Sequence, residues 1–559
     1  MRTYLPSQTH RHAKRFLVGA MITATVALLT AAAMGKDRLF IRSFPNASGV
    51  LGTFSKDGPI DTSHPFFQPL GQQFATTCEH CHFASDAFGL SADHAQELFY
   101  ATAGQHPLFS APTANDFHAA LVLGSGGTIE EREAAYSLIL NQGDALVRRN
   151  LNPVRDFTVT AVVAPTLPAS LHTICVDDHG KIVVDNHSSN VAPPCEEGST
   201  PAIPGDDYLT YTAQDNLLNG TPTPQIWIHR RPLPTTNFAF LTTAAWDGQD
   251  TRQSPNPVVR PTSAGVSDIA KATIRGRQTG PSLIAPDGHV YTDAELDVLS
   301  QELTDFLFSL FAAQDRGHGA GSLSAKGATG GVVNLANQPF YFGSNDVLQG
   351  DLMVAPDGTV MLNNISFTPS IFTEFNAWKQ DDNPHRASIE RGQALFNEQR
   401  LTISGVGGLN NATPTLPDGT ILTPPLPASF VGSCGTCHDS PNVGNHSTRL
   451  PINIGISEKV PVGLGRAAVA DLPPFILARH SDGAIAQTTD PGRAVISGQF
   501  AHIGQFKGPI LHGMAARAPF FHNGMATTLE DVVTFYTARF DANFTPQEMA
   551  DLVNFLKSL

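Results

Sequence analysis

Residues 434–438 read Cys-Gly-Thr-Cys-His, and residues 78–82 read Cys-Glu-His-Cys-His. Both are C-x-x-C-H, the spacing by which a chain attaches haem c. Two thiols add to the vinyl groups of one porphyrin edge, and the adjacent His swings under the ring to ligate iron. With only 6 Cys and 21 His in 559 residues, one chance match is expected roughly 0.002 times, so two are not noise. The competing reading gathers the four thiols Cys78, Cys81, Cys434 and Cys437 around one zinc ion. The His after each pair, His82 and His438, favours two covalent haems, each with its proximal ligand from its own motif.

Working outward, each motif is flanked by segments with helical periodicity. Ser91 to Ala103 reads as a helix, as does Thr128 to Asn141 with Thr128 as N-cap. Asp293 to Ala313 places Leu296, Leu299, Leu303, Phe306, Leu307 and Leu310 at helical spacing. Ala387 to Asn397 opens the second haem unit. Near the end, Thr527 and Glu530 form a capping box, and Thr545 and Glu548 start a last helix with Leu552, Phe555, Leu556 and Leu559 on its apolar stripe. Asn152 to Pro222 reads as loops and short strands, and Gly317 to Gly331 as a linker or an ordered surface loop. The expectation is a mainly α protein: two cytochrome c-like haem domains, 34–330 and 331–559, with long loop-rich insertions.

Composition narrows the function. Lys and Arg number 35 against 50 Asp and Glu, a net −15, which excludes phosphate-backbone binding as the main business and so leaves no nucleic-acid partner. Hydrophobic residues at 41% and charged ones at 15% exclude a disordered solvating chain. The N-terminus carries Arg2, Arg11, Lys14 and Arg15, then an apolar run from Phe16 to Met34 ending in Ala31, Ala32 and Ala33. This reads as a secretory signal, residues 1–33. Its length approaches the roughly 20 residues that span a bilayer, so an uncleaved membrane anchor is the alternative. Both readings export the chain to the periplasm. There, Cys175 and Cys195 read as a disulfide, the alternative being a Cys/His metal site with His179 or His187.

Further segments carry a resemblance. They are Trp246-Asp247-Gly248 after Pro232-Leu233-Pro234-Thr235-Thr236-Asn237, then Arg391-Gly392-Gln393-Ala394-Leu395-Phe396, then Phe506-Lys507-Gly508-Pro509. The last runs on through Arg517-Ala518-Pro519-Phe520-Phe521-His522-Asn523-Gly524 to Thr528-Leu529-Glu530-Asp531-Val532-Val533. With the two motifs, they resemble the bacterial di-haem cytochrome c peroxidase superfamily, which includes the MauG-type enzymes. The match covers roughly a third of the chain, and the insertions at roughly 100–220 and 315–430 fall outside it, as in a longer branch of that superfamily.

The resemblance implies a peroxide-reactive N-terminal haem and an electron-relaying C-terminal haem. It implies Tyr536 as sixth ligand of the latter, as in the MauG-type subgroup, where peroxidases carry Met; Tyr536 also reads as a core aromatic, and Met525, Met514 and His512 compete. It places Trp246 between the haems as an electron stepping stone. Three departures stand out. Gly432 occupies the place of a MauG-type tryptophan. Asn256 and Val266 replace the peroxidases' acid–base Gln and Glu, leaving Asp268, Arg275, Arg277 and Gln278 as candidates for that work. Arg231 stands where the family's interdomain calcium takes an Asn, so calcium is not expected. His64, His94 and His106 could reach the distal side of the first haem. The expected activity is that of a peroxidase-like oxidoreductase using hydrogen peroxide or a related oxidant, with a cytochrome c or cupredoxin as donor. The alternatives are MauG- or rubber-oxygenase-like oxidation of an organic or protein substrate, and a non-catalytic two-haem electron carrier.

Overall fold

The computed structural model describes residues 41–71, 77–110, 113–115, 127–162, 224–241, 243–248, 284–341, 343–347, 367–412, 425–448, 451–465, 472 and 474–559. It also describes short strands between 175 and 222 and between 352 and 362. Residues 1–33, read above as a secretory signal, Cys195 and the whole of 249–283 lie outside the described residues.

The first motif is folded by local rules. Pro65–Phe67 is a 3-10 turn with Pro at its start, capped by His64, whose Nδ1 accepts the Phe66 N–H at 3.2 Å. Cys78–His80 is another such turn, and its His80 Nδ1 accepts the Thr77 N–H at 2.9 Å. Helix Ala92–Thr102 follows, N-capped by Ser91 and closed by Ala103 in the left-handed region. Helix Asp293–Ser309, with a Thr292/Glu295 capping box, lays Leu296 and Leu303 onto Phe66, Phe67 and Phe88.

The second motif rests on a helix crossing. Pro384–Glu398 packs against the terminal helix Pro546–Leu556. At the crossing, a Cβ on Gly392 would lie 2.0 Å from the Asp551 carbonyl oxygen, so only glycine allows this approach. The Asp551 carboxylate accepts Arg391 Nε at 2.7 Å and Nη2 at 2.8 Å, and Ser388 Oγ at 2.6 Å. Phe372, Phe375, Phe396 and Phe555 fill the space beneath.

The mainly α expectation is overturned. Nine α-helices among the described residues share the chain with many short strands, in antiparallel sheets of two to four strands. The clearest case is the segment read as a helix to Ala313. The helix stops at Ser309, and Leu310–Gly317 becomes a strand paired with Gly49–Ser55 in a four-stranded sheet. Leu310, Phe311, Ala312 and Ala313 are all buried, so a run with helical composition is better placed in a sheet covered on both faces. Pro224–Arg230, which pairs with Ala145–Asn150, buries Ile226 and Ile228 on alternate positions, a period-two pattern. Smaller corrections follow the same logic. The Thr128 helix is split at Tyr136 into Ile129–Ala135 and Ser137–Gln142. The capping box expected at Thr527 and Glu530 forms one residue later, between Thr528 and Asp531. The Gly317–Gly331 stretch is ordered, with Ala320, Leu323 and Ala328 in the core of the second unit.

Candidate haem sites

The two C-x-x-C-H segments adopt one local structure. In each, the His N–H donates to the carbonyl of the first Cys, at 3.0 Å for His82 and 3.2 Å for His438. Each imidazole then reaches a carbonyl six residues on: His82 Nδ1 to Phe88 at 3.0 Å, and His438 Nδ1 to Gly444 at 2.5 Å. With Nδ1 as donor, Nε2 keeps its lone pair, the tautomer and orientation an iron ligand needs. Gly444 turns at φ +76°, a conformation that favours glycine. All four thiols are free of disulfides. Cys78 packs with Phe66 and Phe88, Cys81 with Leu90 and Phe99, and Cys434 and Cys437 with Leu401 and Ile403. Among the described residues they do not gather into one metal cluster, which disposes of the four-thiolate zinc reading there.

Around the second motif lies a cavity lined by Cys434, Cys437, His438, Tyr536 and mostly apolar side chains. Burial pushes both thiols up to about 12, so they stand as neutral, lipophilic groups against an apolar space. Three cations, Arg231, Lys507 and Arg517, also line it. Arg231 Nε and Arg517 Nε are buried with no hydrogen-bond partner. Burial, reinforced by Arg517, lowers Lys507 to about 7; burial and the nearby Arg231 lower Arg517 to about 9. The buried Asp144 carboxylate already faces Arg231, so it is the orphaned donors and the crowding of Lys507 with Arg517 that call for a further anion. A haem, apolar over its ring and carrying two carboxylates, fits this donor set.

Tyr536, on helix Leu529–Phe540, enters the same cavity, and burial, followed by the neighbouring thiols, raises its phenol above the ordinary range. Met514 also lines the cavity, whereas Met525 packs beside Trp246 and His512 Nε2 donates to the Asn442 carbonyl at 3.0 Å. His522 lines it as well, stacked on Phe506 at 3.9 Å between ring centres. Gly432 sits in strand Ser429–Gly432, paired with Leu401.

Trp246 borders the cavity too. Its Nε1 donates to the Arg231 carbonyl at 2.9 Å, and its own carbonyl accepts the Lys507 N–H at 3.0 Å. Arg231 joins the two haem units. Its Nη2 donates to the Leu90 carbonyl at 2.6 Å and to the Arg517 carbonyl at 2.7 Å. A guanidinium that takes two carbonyls leaves little at Arg231 for calcium to bind. The Phe88 carbonyl that holds His82 also accepts the Thr235 N–H at 2.9 Å, and Leu233 of the same segment packs in the cluster of Trp246 and Phe506. Behind Trp246, Arg230 is held by Asp490 at 2.6 and 2.9 Å and pairs with Asp247, all three fully buried.

The distal candidates at the first motif have local duties. His64 caps its turn, His94 Nδ1 lies 3.3 Å from both Asp86 oxygens, and His106 Nδ1 accepts the Leu108 N–H at 3.1 Å. Asn256, Val266, Asp268, Arg275, Arg277 and Gln278 lie outside the described residues. The sequence reading missed the carbonyls of Phe88 and Gly444 and the convergence of Arg231, Lys507 and Arg517 on one cavity. The common six-residue offset was visible in the sequence; the meeting of three cations from distant segments was not.

No protein-family model matches the chain. It is similar to the cytochrome-c peroxidase IdrP2 of Denitromonas iodatirespirans, 32% identical over 111 residues, covering 19% of this chain and 28% of the relative. The IdrP2 of Pseudomonas sp. (strain SCT) is 26% identical over 194 residues, 32% of this chain and 48% of the relative. A solved MauG-like protein associated with microbial copper homeostasis is 15% identical, with a TM-score of 0.25, over 61% of this chain and 77% of that one. The chain thus has partial, low-identity homology to cytochrome-c peroxidases, and it spans less than half the length of the curated relatives it matches.

Proposed function

We propose that the protein is an exported di-haem c-type peroxidase, with Cys78, Cys81 and His82 holding one haem and Cys434, Cys437 and His438 the other. The observation that carries this reading is the repeated device by which His82 and His438 each fix Nδ1 on the carbonyl six residues on, at 3.0 and 2.5 Å. When bound, the haems supply one-electron redox chemistry at iron. The chain's residues do the rest. Phe88 and Gly444 orient the proximal imidazoles, and Arg231, Lys507 and Arg517 receive the carboxylates of the second haem. Trp246, hydrogen-bonded to Arg231, stands on the path from the Leu90 loop of the first unit to the second cavity. In this reading hydrogen peroxide or a related oxidant is taken up at the His82 site, and electrons from a small cytochrome c or cupredoxin enter through the His438 site. Tyr536, which lines the same cavity, would offer its oxygen to the metal there.

A second reading, oxidation of an organic or protein substrate on the same frame, is favoured by Asn256 and Val266, which supply no acid–base pair for O–O cleavage.

The test is haem content by the pyridine haemochrome method, followed by peroxide-dependent oxidation of reduced cytochrome c. Two haems per chain and steady turnover, cut at least tenfold in Trp246→Phe with haem content unchanged, are expected. Two haems inert to peroxide in both the oxidised and the half-reduced protein would make it an electron carrier instead.

A further inference from the structure

Beside the second haem motif, starting at the residue after His438, lies a cluster the proposed function does not use. Asp346, Asp439 and His446 each offer a ligand atom, and these atoms all lie within 4.8 Å of one another. The three residues are 3%, 0% and 6% exposed. His446 Nδ1 is 2.9 Å from Asp439 Oδ2, an ion-pair distance, although the two atoms are not aligned as a hydrogen bond. His446 Nε2 is buried and unbonded. His446 and Asn445 also line a narrow cleft with Lys507. The Asn445 Oδ1 is also buried without a partner.

We infer that Asp346, Asp439 and His446 form a binding site for a divalent first-row metal ion, such as zinc or manganese, that clamps the loop behind His438. Two carboxylates and one imidazole are a donor set such ions take.

The surrounding hydrogen bonds show what the clamp would hold. Asp439 Oδ1 accepts the Ser447 N–H at 2.6 Å, closing the loop that runs from Asp439 to His446. That loop carries Gly444, whose carbonyl orients His438. Asp346 comes from a distant segment wrapped around the same loop: Asn345 Nδ2 donates to the Asp439 carbonyl at 3.1 Å, and the Gly343 N–H to the Ser447 carbonyl at 3.0 Å. An ion at this point joins the 315–430 insertion to the proximal loop and gives part of that insertion a purpose. The competing arrangement is metal-free, with a protonated His446 and the nearby Lys507 balancing the two carboxylates.

The experiment is metal analysis of the full-length holoprotein, produced in medium supplemented with Zn²⁺ and Mn²⁺ and dialysed against a weak chelator. About one non-haem metal per chain is expected, falling below a tenth in Asp346→Asn and in His446→Gln with haem content unchanged. Wild type stripped with a strong chelator should regain thermal stability on adding Zn²⁺ alone. Should the variants fail to fold, the wild-type metal content and this Zn²⁺ response decide. Wild type that holds iron only in haem, with a melting temperature indifferent to Zn²⁺ and Mn²⁺, overturns the site in favour of the protonated His446. Peroxide turnover is scored separately, so a protein that binds the metal but fails as a peroxidase leaves this inference standing.

Discussion

The two motif segments are nearly the same object placed in different surroundings. Each makes a 3-10 turn at its cysteines, and each sends its His Nδ1 to a carbonyl six residues on. The described wall of the first is aromatic, built from Phe66, Phe67, Phe88 and Phe306. The second opens onto a large apolar cavity edged by Arg231, Lys507 and Arg517, with Tyr536 in its lining. A local motif is therefore sufficient to orient a ligand, but the environment that separates the work of the two sites is assembled from far along the chain.

The most forceful way to break the comparison is to remove the thiols one site at a time. Cys434→Ala with Cys437→Ala should halve the covalent haem per chain and strongly lower thermal stability, because the cavity loses the group that fills it and pairs its cations. Cys78→Ala with Cys81→Ala should leave the second site loaded. The pyridine haemochrome spectrum and a melting curve read both. Loss of all haem from either pair would show that the sites assemble as one unit and that their local similarity is secondary.

What the sequence made legible was the local layer. The motifs, the caps at Ser91, Thr292 and Thr545, and the resemblance around Trp246 and His522 all depend on residues close together in the chain. The fold class was misread because Leu310–Gly317 and Pro224–Arg230 take their conformation from partners about 260 and 75 residues away, and no window of sequence holds that information. The same applies at the second site. Arg231, Lys507 and Arg517 were each noticed singly, but their convergence required the Pro232–Asn237 segment to be threaded between the two units. Asp346 escaped notice for the same reason: it lies in an insertion that composition marked as loop.

Arg231 is the residue on which the two surroundings meet. Arg231→Leu leaves the Leu90 and Arg517 carbonyls without their donor, and each buried unmet group costs roughly 1–3 kcal/mol. A destabilisation of about 3 kcal/mol in chemical denaturation is expected, together with a change in the second haem's spectrum. A spectrum that stays fixed would separate the bridging role from the cavity.

Tyr536 sharpens the difference at the level of the iron. In Tyr536→Phe the helix keeps its apolar face, so stability should move by less than about 1 kcal/mol. The electron paramagnetic resonance signal of the second haem should nonetheless change, since burial holds the phenol neutral unless a metal takes its oxygen. An unaltered signal would return Tyr536 to the role of a core aromatic and turn attention to Met514, which lines the same cavity.

The smallest expected effect belongs to the first unit. Burial alone would lower His94, but its hydrogen bond to Asp86 and that carboxylate's charge together raise it above the ordinary 6.5. A histidine raised in the folded state stabilises fully below the unfolded value of 6.5 and loses that contribution as pH climbs through the folded value. The pair is part-exposed, with 24% of the His94 side chain open, so screening keeps the contribution below about 1 kcal/mol. Comparing melting temperatures of wild type and His94→Gln should therefore show a larger gap at pH 5.5 than at pH 8.5. A gap independent of pH would mean that Asp86 is engaged by the Ser91 N–H, 2.8 Å away, and owes little to the imidazole. The loop beside His82 would then be held by backbone contacts alone, whereas the loop beside His438 has buried charge packed against it.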